Sequence, residues 1–257
     1  MRAPAFARVV EREMRVFRRL WRGTAFSGLV TPLLYLGAMG FGLGGLVDER
    51  TGDVDGLSYL VFVTPGLLAA SAMQTAANNS LWPVMAGTKW IRSYHAMVAS
   101  PLSPGDVYGG FVVWNSMRTS LYSGSFLVVA AALGGVTSFW AVVALPFAVL
   151  TGAAFAAPLG AFAASRDTDQ SFPLIVRLGI MPLFLFSGTF FPLDLLPGWL
   201  ATLAVISPLW HGAELCRAAT TGSLALGPAA VHVAVLAAVI AVAWRFGTRS
   251  FTRKLTP

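Results

Sequence analysis

The sequence predicts an all-α integral membrane protein: six transmembrane helices, an N-terminal amphipathic interfacial helix ahead of them, and a re-entrant outer helical hairpin before the last span. Three observations predict it. Hydrophobic residues make up 56% of the chain and charged residues 11%, against about 25% charged in an average soluble domain, so no water-facing surface can be assembled. Uncharged runs cover residues 24–47, 57–88, 119–165 and 218–244, each with the ~20 apolar residues that cross a bilayer core. Seven of the 18 Lys/Arg residues fall in the first 22 positions and four in the last 13. By the positive-inside rule both ends are cytoplasmic, which requires an even number of crossings. The net charge of +7 then sets orientation in the membrane rather than affinity for nucleic acid. A soluble enzyme, a disordered tail and a disulfide scaffold are excluded, since the single cysteine, Cys216, cannot bridge within the chain.

Each element follows in order. In residues 1–22, Phe6, Val10, Met14, Phe17 and Trp21 form one helical stripe and Arg8, Arg12, Arg15, Arg19 and Arg22 the opposite one. Such a helix lies in the inner interface with its arginines toward anionic headgroups, and Phe17 and Trp21 call for burial. The basic region and the run after it are too long for a signal peptide. The first span, 24–47, ends at the acids Asp48, Glu49, Asp53 and Asp55. The second, 57–80, is interrupted by Trp82-Pro83 and Gly87. The long third run divides at Gly134-Gly135 into spans 108–132 and 138–163; the fifth span covers 173–190 and the sixth 229–246. Between these last two, residues 191–221 carry Pro192, Pro197, Gly198 and Pro208, too many breaks for a straight helix. Parity makes this segment two short helices that enter the outer leaflet and return.

Much chemistry is missing. Gly40-Phe41-Gly42-Leu43-Gly44-Gly45 matches a dinucleotide fingerprint formally, but no strand precedes it; small residues for close helix packing account for it. Lys89 and Lys254 follow Thr88 and Arg253, so no phosphate-binding loop exists, and the chain does not hydrolyse ATP by itself. His95, His211 and His232 stand far apart in sequence without a carboxylate or thiol at ligand spacing, so no metal site is expected. Cys216 has no histidine partner and reads as an inert thiol.

Polar residues inside membrane spans are expensive and therefore candidates for function. Gln74, Asn78 and Asn79 lie on the second span, Gln74 and Asn78 on one face. They serve either as interhelical hydrogen bonds or as the lining of a polar substrate path. Arg118 on the third span either joins that path or marks a helix that reaches into the cytosol. Arg177 reads as a snorkelling interface residue. Residues 89–106 form a cytoplasmic segment: a helix over 89–99 with Trp90, Tyr94 and Met97 as apolar anchors beside Lys89 and Arg92, closed by the Ser100-Pro101 and Ser103-Pro104 turns. That pattern suits docking on a partner.

These segments resemble the permease subunits of type-2 ABC exporters, nearest the nodulation-factor lipo-oligosaccharide exporter branch. The resemblance is carried by Thr31-Pro32-Leu33-Leu34-Tyr35-Leu36, Gly66-Leu67-Leu68-Ala69-Ala70-Ser71-Ala72-Met73 and Ser100-Pro101-Leu102-Ser103-Pro104-Gly105-Asp106. The most specific stretches are Phe186-Ser187-Gly188-Thr189-Phe190-Phe191-Pro192-Leu193-Asp194-Leu195-Leu196-Pro197 and Ser207-Pro208-Leu209-Trp210-His211-Gly212-Ala213-Glu214-Leu215-Cys216-Arg217. The drug-exporting branch shares much of the pattern.

The resemblance implies one ABC-2 type transmembrane domain over 1–257 in the cytoplasmic (inner) membrane of a bacterium. It implies a second permease copy as homodimer, two cytoplasmic ATPase subunits that use ATP and Mg, no cofactor on this chain, and outward movement of an amphiphilic lipo-oligosaccharide or glycolipid. A drug or antibiotic efflux permease is the alternative within the family. On this reading Lys89, Trp90, Arg92, Tyr94, Met97 and Asp106 couple to the ATPase, and Tyr35, Gln74, Asn78, Asn79 and Arg118 are substrate-path candidates. Asp194, His211, Glu214 and Arg217 form an outer gate, with Glu214 and Arg217 as a partly buried pair. An ion-coupled secondary transporter is the rival of another class. It calls for carboxylates near the midplane, whereas Asp194 and Glu214 lie in the re-entrant segment.

Overall fold

The computed structural model describes residues 4–51, 54 and 56–256, apart from the side chains of residues 20, 24–29, 31, 41, 43, 47, 48, 50 and 51. Helix α1 (Ala5–Leu36) passes through a π-helical stretch (Gly37–Leu43) into α2 (Gly44–Thr51). The backbone does not break at Gly23, where composition divides the basic segment from the apolar run. The stripe of α1 is turned toward the bundle: Phe6, Val10, Met14 and Phe17 are half-buried, Phe17 meets Trp114 edge-on at 5.7 Å, Val9 beside the stripe is buried, and the arginines are exposed. Trp21 departs from the stripe and is 52% exposed. The glycine run 40–45 packs against Tyr59 and Leu60, in line with its reading as a packing surface. Asp53 and Asp55, which close the first span in the sequence, lie outside the described residues.

Helix α3 (Tyr59–Met85) continues through a π-helical end (Ala86–Trp90) and carries Pro65 and Pro83 inside it. The interruption expected at Trp82-Pro83 is therefore absent. A proline forfeits one hydrogen bond of the ladder, and here Leu81, Val84 and Met85 around it are fully buried, so tertiary packing holds both sides in line. The chain then reverses at Arg92, a left-handed residue with φ 55°, into α4 (Ser93–Val98). The single helix expected over 89–99 is thus two pieces around that turn.

Helix α5 (Pro104–Ala132) starts with Pro at its first turn and a reciprocal capping box between Ser103 and Asp106, two orphan donors satisfied at once. After a turn at Gly134 a 3₁₀ segment (Phe139–Val143) leads into α6 (Ala144–Ala164); α7 (Phe172–Ile175) runs through a π segment (Val176–Ile180) into α8 (Met181–Phe186). Helices α9 (Gly198–Ile206) and α10 (Pro208–Thr221) meet at an extended Ser207. Their 9 and 14 residues give lengths of about 13 and 21 Å, each short of the ~30 Å hydrocarbon core. Helix α11 (Leu226–Leu255) ends the chain.

The described residues form helices and loops, with one isolated bridge between Val54 and Leu57. Among them, three helices are long and apolar enough to cross a membrane: Tyr59–Trp90, Phe139–Ala164 and Leu226–Leu255. Pro32–Leu46 and Phe172–Phe186 are shorter apolar helices. Helix α3 is central and packs on α5, α6 and α10, while α1 packs on α5 and α11 lies against α6. One core, around Leu67, Met73, Phe126 and Leu209, fills the half of the bundle that holds α10. A second, around Tyr94, Tyr108, Phe172 and Phe251, fills the half that holds α4.

Candidate functional site

Between α1, α3, α5 and α8 lies a cavity of about 180 Å³. Helix α3 presents Leu67, Ser71, Gln74, Thr75 and Asn78 to it, residues whose spacing of three and four puts them on one helical face. The opposite face of α3, with Ala69, Ala70, Met73, Ala76 and Ala77, is buried in the bundle. Tyr35 from α1, Tyr122 and Phe126 from α5 and Phe184 from α8 complete the walls. The Tyr35 ring meets Phe184 edge-on at 6.2 Å, and Phe184 meets Phe190 at 5.1 Å. Neutral hydroxyl and amide groups thus stand among aromatic rings, and among the described residues no carboxylate lines the cavity. Such walls hydrogen-bond a hydroxyl-rich head and stack against an apolar body.

A second polar row runs along the inner face of α5. Asn115 donates to the Ser80 hydroxyl at 3.1 Å, while Asn115 Oδ1, Thr119 Oγ1 and Ser123 Oγ are buried with no hydrogen-bond partner among the described residues. Arg118, on the row that continues to Tyr122 and Phe126, stays half-buried, its Nε without a partner among the described residues. It extends the polar row of the cavity by one turn but does not line it.

At one end of the bundle α10 is tied down from several sides. Arg217 pairs with Glu214, donates to the Gly188 carbonyl at 2.8 Å and lies 4.8 Å over the Phe62 ring. Gly188 has φ 72°, open to glycine and costly for other residues. Beside it a Cβ on Gly66 would come within 2.7 Å of the Thr189 Cα, so the turn seats on α3 only because position 66 has no side chain. His211 on α10 and His232 on α11 meet with Nδ1 atoms 2.7 Å apart, and the Trp210 ring packs on both. One ring donates and the other accepts. The backbone N–H of Ser138 donates to the Thr220 carbonyl at 3.0 Å, and the Tyr59 hydroxyl donates to the Phe190 carbonyl at 3.2 Å.

The other end is built around α4. Tyr94 and Met97 are buried against the rest of the chain, Tyr94 beside Phe251 and Gly87. Burial, with the Glu13 carboxylate of α1 adding to it, raises the pKa of the Tyr94 phenol and keeps it protonated. Trp90 and Ile91 project outward, 54% and 74% exposed, with Lys89 and Arg92 beside them. Lys89 donates to the Asp167 carbonyl, and Lys254 holds the Asp167 carboxylate at 2.5 Å. The Lys254 hydrogen bond keeps that carboxyl below its ordinary pKa range.

The sequence profile of the ABC-2 type transporter family matches residues 4–220. The chain belongs to the ABC-2 type transporter family. Nodulation protein J of Rhizobium meliloti (strain 1021) is 30% identical over 249 residues, 97% of this chain and 93% of that protein. Nodulation protein J of Rhizobium leguminosarum bv. viciae is 31% identical over 249 residues, 94% of each chain. The inner membrane transport permease YadH of Escherichia coli (strain K12) is 31% identical over 204 residues, 77% of this chain and 75% of that protein. The family read from the sequence is borne out, and nodulation protein J is among the relatives.

In this ABC-2 chain Tyr35, Gln74 and Asn78 converge on the cavity, while Asn79 turns back to donate to the Thr75 carbonyl at 2.7 Å. Tyr122 also lines the cavity, yet nothing in its local sequence distinguishes it from an ordinary lipid-facing aromatic. Glu214 and Arg217 form the expected pair. Asp194 stays exposed on a 3₁₀ turn. Two of the three histidines, far apart in sequence, meet across α10 and α11; their separation of 21 residues takes in the rest of α10, a loop and the first turns of α11, which ligand-spacing rules do not cover. Tyr94 and Met97 face inward, so of the three apolar anchors only Trp90 is exposed. Asp106 is engaged by the Ser103 backbone and hydroxyl as a helix cap.

Proposed function

We propose that the chain is the transmembrane permease subunit of an ATP-driven exporter that moves an amphiphilic, lipo-oligosaccharide- or glycolipid-like molecule outward. The cavity carries the reading: aromatic walls interrupted by Ser71, Gln74, Thr75, Asn78 and the two tyrosines match a neutral sugar-bearing head on an apolar body. An ion-coupled carrier calls for buried carboxylates near its site, whereas the described lining is neutral.

In this scheme the chain crosses the inner membrane six times with both termini inside, α1 rises from the inner interface into the first span without a break, and α9 and α10 enter the outer leaflet as a re-entrant pair. Their lengths and the capture of α10 by Arg217 and His211 support that placement. A second permease copy completes the path, and two cytoplasmic ATPase subunits use ATP and Mg. With Tyr94 and Met97 committed to the fold, Trp90 and Ile91 become the apolar knob and Lys89 and Arg92 the steering charges for the ATPase. The test is reconstitution of permease and ATPase in vesicles with a fluorescent lipo-oligosaccharide and its sugar-free lipid. ATP-dependent outward movement of the sugar-bearing lipid, reduced by Gln74→Leu with Asn78→Leu, is expected. Equal transport of both lipids overturns the substrate class, and transport without ATPase overturns the coupling.

A further inference from the structure

Helices α6 and α11 leave between them an open groove of about 670 Å³ on the outside of the bundle, with no residue in common with the cavity. Ala161, Phe162, Ala238, Val242 and Phe246 line its apolar length, and Ser165 and Ser250 mark one end. Val242 and Phe246 are 58% and 60% exposed.

That end is basic. The Arg166 guanidinium lies 4.6 Å from the centre of the Phe162 ring, which lines the groove. Arg249 and Arg253 stand beside Ser250 in the register of α11, one position before it and one turn after it, and both are exposed. Among the described residues none of the three is in an ion pair. The acids of the neighbouring loop are Asp167, held by Lys254, and Asp169.

We propose that this groove binds an anionic phospholipid, an acyl chain along the apolar length and the phosphate among Arg166, Arg249 and Arg253. An apolar groove ending in hydroxyls and flanked there by cations is the complement of such a molecule in the leaflet at that end. A second copy fits the groove poorly: a two-fold contact is made by the same patch on both chains and would set three arginines against their equivalents. The headgroup meets the corner where Lys254 holds Asp167 and Phe251 packs on Tyr94, so the lipid braces the segment beneath α4. The inference rests on the membrane placement of α6 and α11 and on neither cargo nor ATPase.

The full chain is reconstituted in vesicles of equal phosphatidylglycerol and phosphatidylcholine, extracted in mild detergent, and its retained lipids counted by native mass spectrometry. The wild-type chain retains phosphatidylglycerol in preference. Each of Arg166→Gln, Arg249→Gln and Arg253→Gln lowers that preference roughly fivefold, and Ala238→Trp, which fills the groove, removes both lipids. An unchanged preference in the triple glutamine variant overturns the proposal. So does disulfide cross-linking of Ala238→Cys to its own copy in the vesicles, which would place a second chain over the groove.

Discussion

Helices α3 and α11 are both apolar enough to cross a membrane, yet they are used in opposite ways. Over its most apolar stretch the helix from Tyr59 to Trp90 has mean hydropathy 1.4 and 78% of its residues buried; the helix from Leu226 to Leu255 has mean hydropathy 2.2 and 11% of its residues buried. In water the greasier helix would be the core. In lipid the tails are as apolar as leucine, so burial inside the protein is driven by close packing and polar contacts rather than by expulsion from solvent. Helix α3 accordingly brings small residues (Gly66, Ala69, Ala70, Ala76) and the hydroxyl of Ser80 to the bundle. Helix α11 turns Val231, Val242 and Phe246 outward.

The largest expected effect lies where α3 packs closest. Gly66→Val places a side chain against the Thr189 backbone, which cannot rotate aside, and should cost about 3 kcal/mol, read as a lower unfolding midpoint in detergent. Val231→Leu on the outer face of α11 should stay within about 0.5 kcal/mol. Equal losses at the two sites would break the comparison.

Next comes Arg217, where α10 meets α3. Arg217→Ala leaves Glu214 unpaired, frees the Gly188 carbonyl and uncovers Phe62. The side chains of Arg217 and Glu214 keep 19% and 32% of their exposure, so the loss should be about 2 kcal/mol, below the penalty for a fully buried pair. Exchanging Glu214 and Arg217 should recover little, because an arginine at 214 no longer addresses Gly188 and Phe62; full recovery would reduce the site to a simple charge pair.

The comparison sharpens at the α3–α4 turn, where neighbouring residues separate into structural and exposed. Tyr94→Ala should cost about 3 kcal/mol in stability through the cavity it leaves. Trp90→Ala with Ile91→Ala should leave the unfolding midpoint unchanged while abolishing ATP-dependent export. A folded, export-competent double variant would move the coupling contact elsewhere.

The smallest effect concerns the Lys254–Asp167 tie. The carboxyl's pKa is lowered in the folded chain, so its contribution is present above the ordinary carboxylate pKa and is lost as pH falls through the lowered value. Asp167→Asn should therefore match wild type in strong acid and differ slightly at neutral pH. A difference that grows on acidification would reverse the sign.

The sequence determined by itself whatever depends on composition and one-dimensional spacing. The uncharged runs made the chain a membrane protein, the prolines around 192–208 broke the segment before the last helix, and the motif stretches placed it in its family. Gln74 and Asn78 were legible because an amide in an apolar helix is conspicuous. Tertiary structure alone decided the rest. Trp82-Pro83 did not end a helix because Leu81, Val84 and Met85 are packed on both sides of it. Tyr94 and Met97 turned inward because the left-handed Arg92 rotates α4 away from the axis of α3, and no periodicity carries through such a turn. Tyr122 joined the cavity and His232 met His211 through the placing of α5 and α11 against their neighbours. Helical period fixes which residues share a face, but which face meets which neighbour is set by close packing among all the helices at once, a property of the assembled bundle.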